Sequence, residues 1–353
     1  MAGGVGSRFW PMSRNAKPKQ FLDILGTGKT LIQQTYDRFL KVCPKENIII
    51  VTNADYNETV MQQLPDLKRD QVLSEPMRRN TAPCVAYASH KILKQNPKAN
   101  MVVAPSDHVI LKEDAFVASI QECLNFTFDK DCLLTLGIKP SRPDTGYGYI
   151  QFIDDKSNKQ NKISKVKTFT EKPDLEMAKF FLQTGEFLWN AGIFIWNVNA
   201  ITKAIKEHLP EMDTIFSEGE SHYYTAGEEE FIKKAYEQCT NISVDFGVME
   251  KARNVYVMSA EFGWSDLGTY GSLYDHIKMD EHHNAVVGKN VMMYDTRNCM
   301  VNMPKDKLVV LQGLDDYIVV ESENILLVCR KSDEQQIRQF VNDVKLNKGE
   351  KFV

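Results

Sequence analysis

Short apolar runs alternate with helical stretches through the first third of the chain, and this order constrains the fold more than any other feature of the sequence. The β-rich runs lie at residues 47–52, 71–73 and 100–104, and segments of helical period lie at 54–63 and 82–95. Strands that alternate with helices build βαβ units, in which neighbouring strands are parallel. The sequence therefore predicts an α/β fold with a mixed, mostly parallel sheet flanked by helices.

The middle of the chain continues this domain with a different strand pattern. Between residues 144 and 170, strand-like pieces flank a polar stretch at 154–162 that predicts a hairpin loop. Helices are predicted at 175–184, 200–207 and 228–238. We expect a second layer built over the edge of the first sheet.

The C-terminal quarter is built differently. A charged stretch follows residue 276 and leads into short strand-like pieces punctuated by Gly, Asn, Asp and Pro, and residues 333–344 have helical period with one apolar face. This change predicts two domains, a large one over residues 1–276 and a small β domain over residues 284–353 that ends in a helix.

Charge and cysteine content exclude several partners. The 353 residues carry 43 Lys and Arg against 47 Asp and Glu, a formal net charge of −4, so no positive field holds a nucleic acid. The apolar runs are too short to span a bilayer, and no basic region with an apolar core opens the chain. The seven cysteines form no C-x-x-C pair and are typical of reduced, buried residues. We expect a cytoplasmic protein with no membrane or nucleic-acid partner.

A glycine-rich segment, AGGVGSR, opens the chain and ends at the cation Arg8. Bare backbone N–H groups in such a loop can wrap a phosphate chain, and Lys19 is a second cation that can reach the same phosphates. A flexible tail or a tight turn is the alternative. Phe9 stands where the dinucleotide fingerprint needs a third glycine, and GTGKT at 26–30 is not a P-loop because Asp23 replaces its first glycine. We expect a turn there that leads into a helix over residues 31–40.

The turn EPMRRNTAP at residues 75–83 runs into a predicted helix. Asn80 or Thr81 is a candidate N-cap. The turn also offers Glu75, whose carboxylate can accept from both guanine N1–H and the 2-amino group. Base recognition and helix capping are compatible at this turn.

Two aspartates in turn segments have both a ligand-binding and a structural interpretation. Asp107 follows the apolar run 101–104, at the carboxyl end of a predicted strand, where open α/β sheets bind ligands. Asp266 lies in the segment WSDLGT, and its alternative role is to cap the helix that follows. A turn aspartate is the alternative for Asp107.

Three further segments contain glycine, charged or amide residues that suit a ligand site. TGYGYI at residues 145–150 places glycine where backbone can approach a ligand, or where a β-bulge forms. Glu171 and Lys172 form either a ligand-binding pair or a solvated ion pair in a turn. Asn190, in WNAGIF, can donate to and accept from hydroxyls.

Taken together, GGVGSRFWP at residues 3–11 and PKQF at 18–21 resemble the signature of the sugar nucleotidyltransferases, and Trp10 with Gln20 resembles the GDP-mannose branch of that family. The turn at 75–83 resembles the E-P-x-x-R-N-T-A-P motif of its guanylyltransferases. The resemblance implies a Rossmann-like nucleotidyltransferase fold with a short left-handed β-helix. It also implies transfer of GMP from GTP to mannose 1-phosphate with Mg2+, release of pyrophosphate, and a homodimer.

The resemblance also implies roles for the residues above, with Asp107 and Asp266 as the Mg2+ ligands and Lys172 at the phosphate of the sugar. The implied nucleotide-binding residues are Ala2, Gly3, Gly4, Gly6, Ser7, Glu75, Asn80, Thr81 and Ser106. The implied sugar-phosphate-binding residues are Gly146, Tyr147, Glu171, Lys172 and Asn190. The implied catalytic residues are Arg8, Lys19, Asp107, Lys172 and Asp266.

Other functions remain open at this point. A nucleotidyltransferase for another base or for another sugar 1-phosphate, such as heptose or glucose, shares the same motifs, although the turn at 75–83 argues against uridylyl and thymidylyl enzymes. A non-catalytic nucleotide-sugar sensor has no need of Arg8, Lys19 and both aspartates together. A nicotinamide-dependent enzyme is disfavoured by the incomplete glycine fingerprint.

One departure from the family concerns the start of the sequence. The family has an apolar strand that feeds the glycine loop, whereas here Met1 stands at the end of that strand. We expect the natural protein to carry several more apolar residues before Met1. The bifunctional relatives append a metal-binding isomerase domain, and we expect the transferase alone in this sequence.

Overall fold

The computed structural model describes residues 1–153 and 162–353, which divide into two compact units. Unit 1 comprises Met1–Gly3, Tyr36–Pro105 and Ile110–Trp264, and unit 2 comprises Gly4–Thr35, Ser106–Val109 and Ser265–Val353. Each unit therefore collects segments that are distant in sequence.

The α-helices of the described residues are α1 (Leu31–Leu40), α2 (Asn57–Gln63), α3 (Thr81–Gln95), α4 (Glu113–Thr127), α5 (Leu175–Thr184), α6 (Val198–His208), α7 (Pro210–Ser217), α8 (Glu228–Gln238), α9 (Tyr270–Tyr274) and α10 (Ile337–Lys348). Short 3-10 helices lie at Ser7–Phe9, Lys19–Phe21, Lys45–Asn47, Ala54–Tyr56, Arg69–Gln71, Glu218–Ser221, Lys331–Gln336 and Glu350–Phe352, and a π-helix lies at Asp245–Met249.

The β-strands of the described residues are β1 (Ile50–Asn53), β2 (Val72–Glu75), β3 (Asn100–Val103), β4 (Val109–Ile110), β5 (Leu133–Ile138), β6 (Tyr149–Phe152), β7 (Ile163–Thr170), β8 (Phe187–Asn197), β9 (Val255–Ala260), β10 (Trp264–Ser265), β11 (Ala285–Val287), β12 (Val291–Tyr294), β13 (Met300–Asn302), β14 (Val309–Gln312), β15 (Tyr317–Ser322) and β16 (Ile325–Arg330).

A six-stranded mixed sheet with the order β3-β8-β5-β9-β7-β6 forms the centre of unit 1, and β1 pairs with β2 in a separate parallel ladder. The predicted α/β class with mixed sheets and helices is confirmed. Fewer strand pairs are parallel than predicted. Among the strand pairs of the large sheet in the described residues, β5 with β9 is parallel and the others are antiparallel. Strand β8 runs antiparallel to β3, β5 and β6. Hydrophobic periodicity identifies a strand but does not give its direction.

The core of unit 1 lies where the helices cover this sheet. Strand β8 is buried along almost its whole length, as expected of a central strand covered on both faces. Its Trp196 is fully buried in a cluster with apolar residues of α3 and α6. The predicted helices at 175–184 and 228–238 coincide with α5 and α8, and the predicted helix at 31–40 coincides with α1. The predicted hairpin loop at 154–162 falls on residues outside the described part, except for residue 162.

Parallel strands stack in successive layers in unit 2. Strand β11 pairs with β13 and β13 with β15, while β12 pairs with β14, all in parallel. Ala285, Met300 and Ile318 occupy equivalent positions in three layers and are fully buried. This repetition gives each layer a neighbour against which to bury its apolar side chains. Helix α10 follows, anchored by the buried Ile337.

A helix long and apolar enough to cross a membrane is absent from residues 1–153 and 162–353.

Candidate active site

A close contact fixes the glycine loop of unit 2 against Lys19. Gly6 has a positive φ of 70°, and a Cβ atom there would lie 2.7 Å from the Cβ of Lys19. Only glycine satisfies both conditions. The 3-10 helix Ser7–Phe9 follows and carries Arg8, whose Nε is buried without a hydrogen-bond partner in the described residues. Gly4 has no such constraint, since a Cβ there would meet nothing within 4 Å.

The ammonium group of Lys19 joins the two predicted metal ligands of unit 2. Its Nζ lies 2.9 Å from Asp107 Oδ2 and donates to the main-chain carbonyls of Asp266 at 2.6 Å and Leu267 at 3.1 Å. The Lys19 side chain is only 5% exposed. Since an ammonium group has three donors, these contacts use all of them. Lys19 therefore holds the two aspartates together, and this role differs from the predicted contact with phosphates.

Asp107 is an anion at neutral pH. Burial alone would raise the pKa of its carboxyl, but the nearby Lys19 ammonium and His108 outweigh burial and hold that pKa below its usual value. The side chain is still 30% exposed, so a ligand can reach it. Its neighbour Ser106 has a buried hydroxyl without a hydrogen-bond partner in the described part of the chain.

Asp266 does not cap the helix that follows it. Thr269 is the N-cap of α9 and accepts a hydrogen bond from the Ser272 backbone N–H. Asp266 Oδ1 instead accepts from the Gly268 N–H at 2.9 Å. The alternative reading of Asp266 as a capping residue is therefore wrong.

A cavity of about 200 Å³ in unit 2 gathers these groups. Its lining includes the predicted residues Gly6, Ser7, Arg8, Lys19, Asp107 and Asp266. Arg338 of α10 also lines it, although no sequence motif pointed to that residue. Cations and carboxylates therefore surround one small cavity, a combination that suits a phosphorylated ligand and its counterion.

The predicted base-recognition residue, Glu75, is the last residue of β2 in unit 1 and is 8% exposed. Its Oε1 accepts from the Tyr236 hydroxyl at 3.0 Å. A Cβ on Gly3 would lie 3.2 Å from Glu75 Oε2, so the glycine leaves that oxygen space. Burial raises the pKa of Glu75 to about 7, and the Tyr236 hydrogen bond opposes this rise only in part. Ala2 lies beside β1, where its N–H donates to Val51 O at 2.7 Å.

Asn80 and Thr81 form the start of α3, as the capping interpretation predicted. Asn80 is the N-cap, with a positive φ of 68°, and its Oδ1 accepts from the Thr81 N–H. The Thr81 hydroxyl accepts from the Val244 N–H at 2.9 Å. Both side-chain oxygens thus support local structure in unit 1.

The predicted sugar residues Glu171 and Asn190 lie together in unit 1, around Gly148. A Cβ on Gly148 would lie 2.4 Å from Glu171 Oε2 and 3.4 Å from the Cβ of Asn190. The Glu171 side chain is 6% exposed, and its Oε2 is a buried acceptor with no hydrogen-bond partner in the described residues. Lys172 pairs with Glu171 Oε1, adopts a positive φ of 48° and is 56% exposed. The pair is therefore half-buried, and it leaves one carboxylate oxygen for another donor.

A buried network orients Asn190. Its Oδ1 accepts from the Thr135 hydroxyl at 3.0 Å and from the Gly192 N–H at 3.1 Å. Its Nδ2 donates to Asp245 Oδ1 at 2.8 Å. One N–H of the Asn190 amide therefore remains for a ligand. Its oxygen, which was predicted to accept from a ligand, accepts from protein groups instead. Burial and the neighbouring Glu171 carboxylate raise the pKa of Asp245 to about 6.

Gly146 and Tyr147 precede β6 and lie in a loop, so the alternative of a β-bulge at these residues is wrong. The Gly146 N–H donates to Asp144 Oδ1 at 2.8 Å. The Tyr147 ring packs edge-on against Trp189 at 5.0 Å and Trp264 at 5.2 Å. This packing fixes the loop beside the start of β8.

Residues 1–283 match the model of the nucleotidyl transferase family. The chain belongs to this family. Residues 289–344 of this nucleotidyl transferase also match the mannose-phosphate isomerase/GMP-like β-helix domain, which corresponds to the stacked parallel strands of unit 2. The α/β fold and the β-helix that the sequence motifs implied are thereby confirmed.

Three similar proteins cover nearly the whole chain. Mannose-1-phosphate guanylyltransferase 2 of Escherichia coli O157:H7 is 32% identical over 100% of this chain and 74% of its own length. Alginate biosynthesis protein AlgA of Pseudomonas syringae pv. tomato is 35% identical over 97% of this chain and 70% of its own length. A crystal structure named mannose-1-phosphate geranyltransferase, from Thermus thermophilus, has a TM-score of 0.86 over 98% of both chains at 29% identity.

The donor set of the nucleotidyl transferase fits Mg2+. Asp107 and Asp266 line the same cavity, and carboxylate oxygens are the protein ligands that Mg2+ prefers, usually one or two beside substrate phosphates. The described residues contain no cluster of three or more His, Cys, Asp or Glu arranged to hold a metal. In this cavity, Mg2+ would therefore be coordinated by the two carboxylates and by phosphate oxygens of a bound substrate.

Tyr236, Asp245 and Arg338 are candidate site residues that the sequence did not identify. Tyr236 has the spacing of an ordinary apolar residue on α8, and Asp245 opens a π-helix in a segment without strong periodicity. A π-helix is rare and often marks a functional site, but it is not readable from residue order. Tyr236 and Asp245 contact Glu75 and Asn190 across 161 and 55 residues of chain, and Arg338 lines the cavity of unit 2.

Proposed function

We propose that this nucleotidyl transferase transfers GMP from GTP to α-D-mannose 1-phosphate, giving GDP-mannose and pyrophosphate. The observation that carries the proposal is the bridge from Lys19 Nζ to the Asp107 carboxylate and the Asp266 carbonyl, in a cavity that also holds Arg8. The similarity to proteins named mannose-1-phosphate guanylyltransferase supports GTP and mannose 1-phosphate as the substrates.

Transfer of GMP to a sugar phosphate depends more on neutralising negative charge than on acid–base catalysis. The second pKa of a phosphate monoester is about 6, so the attacking phosphate oxygen is largely ionised at neutral pH without a general base. The barrier arises from repulsion between this dianion and the triphosphate. Catalysis is then positioning and charge neutralisation during one in-line displacement at the α-phosphorus.

Residues of the chain divide this work. Arg8 binds the leaving pyrophosphate, and Lys172, exposed beside Glu171, binds the phosphate of the sugar. Lys19 positions Asp107 and Asp266, which would hold Mg2+. When bound, Mg2+ supplies Lewis-acid stabilisation of the negative charge on the transferring phosphate.

Guanine selectivity is assigned to Glu75. An ionised carboxylate accepts from both N1–H and the 2-amino group, whereas a protonated one loses an acceptor. Because the pKa of Glu75 is raised to about 7, its ionised fraction grows as the pH rises through that value. GTP recognition should therefore strengthen from pH 6 to pH 8.

We expect Glu75→Gln to weaken discrimination between GTP and ATP, since an amide presents its own NH2 to one guanine donor. The measurement is kcat/KM for both nucleotides from pH 6 to pH 8. In the wild type the KM for GTP should fall as the pH rises through about 7, and in Glu75→Gln this dependence should disappear. Unchanged discrimination, or identical pH profiles, would exclude Glu75 as the base reader.

Sugar recognition is assigned to the Glu171 and Asn190 pair, with Asp245 as a positioning residue for Asn190. Asp245 fixes the Asn190 amide so that its remaining N–H faces a sugar hydroxyl. Glu171 Oε2, a buried acceptor without a protein donor in the described residues, accepts from a second hydroxyl. In this proposal, Gly146 and Tyr147 contact the same sugar.

We expect Asp245→Asn to raise the KM for mannose 1-phosphate about tenfold and to leave the KM for GTP unchanged, because a mispositioned charged hydrogen bond costs about 1.5 kcal/mol. Asp129→Asn, an exposed aspartate of the same unit, is the matched control. Equal changes in both KM values would indicate a general structural effect and contradict the assignment.

The test of the proposed function is a pyrophosphate-release assay with Mg2+ across four nucleoside triphosphates and several hexose 1-phosphates. GTP with mannose 1-phosphate should give the highest kcat/KM. A preference for heptose 1-phosphate or glucose 1-phosphate would indicate a nucleotidyltransferase for that sugar instead. If the protein binds a nucleotide sugar but turns over no combination of nucleotide and sugar phosphate, it is a non-catalytic nucleotide-sugar sensor.

We also propose that the protein acts in the cytoplasm as a homodimer. All seven cysteines are free, and five of them are buried, which suits a reducing compartment. Light scattering of the purified protein measures its mass in solution, and a single-chain mass of 40.4 kDa would contradict the dimer.

A further inference from the structure

The first turn of the C-terminal helix α10 contributes a cation to the cavity of unit 2. Arg338 lines this cavity together with Arg8, Lys19, Asp107 and Asp266. Helix α10 contacts the 3-10 helix Ser7–Phe9 that carries Arg8. A residue near the end of the sequence thus reaches the loop near its beginning.

The charges around the cavity do not balance without a ligand. Three cationic side chains and two carboxylates line it, an excess of one positive charge, and a bound divalent cation increases that excess. Lys19 is matched by Asp107 within the protein. Partial burial and the positive charge of Arg8 hold the pKa of the Arg338 guanidinium below its usual value. Arg8 and Arg338 therefore repel each other, and a bound anion that contacts both would relieve this repulsion.

Arg338 has no evident structural task in the described residues. It is exposed and forms no ion pair with a residue of ranges 1–153 and 162–353. The fully buried Ile337 anchors the start of α10, and Phe340, Val341 and Val344 pack against the same apolar cluster. Just before α10, Glu334 Oε2 accepts from the Gly271 N–H at 2.7 Å and fixes this segment to α9. The helix is thus held by other residues, and the guanidinium remains available to a ligand.

We propose that Arg338 is a further phosphate-binding residue, which contacts the pyrophosphate portion of the nucleoside triphosphate together with Arg8. The proposal rests on the proposed nucleotidyl transfer. A planar guanidinium binds phosphate oxygens bidentately, and two of them can flank a pyrophosphate group. The β-helix unit is then part of the substrate site through the helix that follows its last strand.

Arg338→Gln tests this role, with Lys348→Gln on the same helix as the control for loss of one positive charge. The first readout is the binding of inorganic pyrophosphate by calorimetry, and the second is the set of KM values for pyrophosphate, GTP and mannose 1-phosphate. We expect Arg338→Gln to weaken pyrophosphate and GTP binding about ten- to a hundredfold, with an unchanged KM for mannose 1-phosphate. Arg338→Lys should recover part of the loss, and the melting temperature should stay the same.

The outcomes separate this proposal from the proposed function. Unchanged pyrophosphate binding in Arg338→Gln, or an equal loss in Lys348→Gln, overturns the role of Arg338 while the wild-type transferase activity stands. A wild type that binds pyrophosphate through Arg338 but turns over no sugar phosphate overturns the proposed function instead. If Arg338→Gln melts at a lower temperature and Arg338→Lys restores the melting temperature without restoring binding, the role is structural and the proposal fails.

Discussion

Asp107→Asn and Asp266→Asn should each lower kcat on the order of a thousandfold, because a neutral amide cannot replace an anionic ligand of Mg2+ and several kcal/mol of charge stabilisation is lost. The two variants should differ in stability. Asp107 pairs with the buried Lys19 through its carboxylate, whereas Asp266 accepts from Lys19 through its main-chain carbonyl. Removing the Asp107 charge leaves an ammonium without its anionic partner, at a cost of about 1–3 kcal/mol.

Pyrophosphate release and thermal melting distinguish these effects. Asp107→Asn should melt a few degrees lower than the wild type and lower than Asp266→Asn, in which an amide oxygen still accepts from the Gly268 N–H. Asp275→Asn, an exposed aspartate in the same unit, controls for the loss of a carboxylate. Near-normal turnover in either variant removes that aspartate from the metal site.

Gly148→Ala should lower kcat/KM for mannose 1-phosphate about a hundredfold and leave the protein folded. The new Cβ would lie 2.4 Å from Glu171 Oε2, so the carboxylate of Glu171 must move. A displacement of about 1 Å in a positioning group typically has an effect of this size. The Oε2 atom lies at the end of the Glu171 side chain. The added methyl group should therefore move that carboxylate and leave the backbone in place.

A double-mutant cycle tests whether Glu171 carries the effect. In a Glu171→Ala background the clash is absent, and Gly148→Ala should add almost nothing to the loss of kcat/KM. Gly227→Ala serves as the control glycine, because it has a negative φ of −83° and its Cβ would meet its first neighbour at 3.3 Å. Additive losses in the cycle would mean that Gly148 acts through another residue.

Local signals in the sequence were sufficient for several elements. Helix α5 coincides with its prediction because Asp174 caps its first turn, accepting from the Met177 N–H at 2.8 Å, and Gly185 ends it with a φ of 69°. These are start and stop signals that depend on neighbouring residues alone. Helix α10 begins four residues later than predicted, because residues 331–336 form a 3-10 helix that local periodicity does not distinguish.

Four of the predicted site residues, Arg8, Lys19, Asp107 and Asp266, line one cavity. The sequence motifs predicted that they act together. The motifs did not predict that Lys19 is buried and has all of its donors used by the protein. That outcome depends on carbonyls 247 and 248 residues away, which no local pattern encodes.

The α/β class and the order of most helices could be predicted from the sequence alone, because they follow from hydrophobic period, capping residues and short motifs. Tertiary packing set the direction of the sheet strands, since periodicity does not encode direction. It also brought Tyr236 to Glu75 across 161 residues and Asp245 to Asn190 across 55. Such contacts arise when separate segments pack to bury polar groups, and each buried group then takes the nearest partner that the packing supplies.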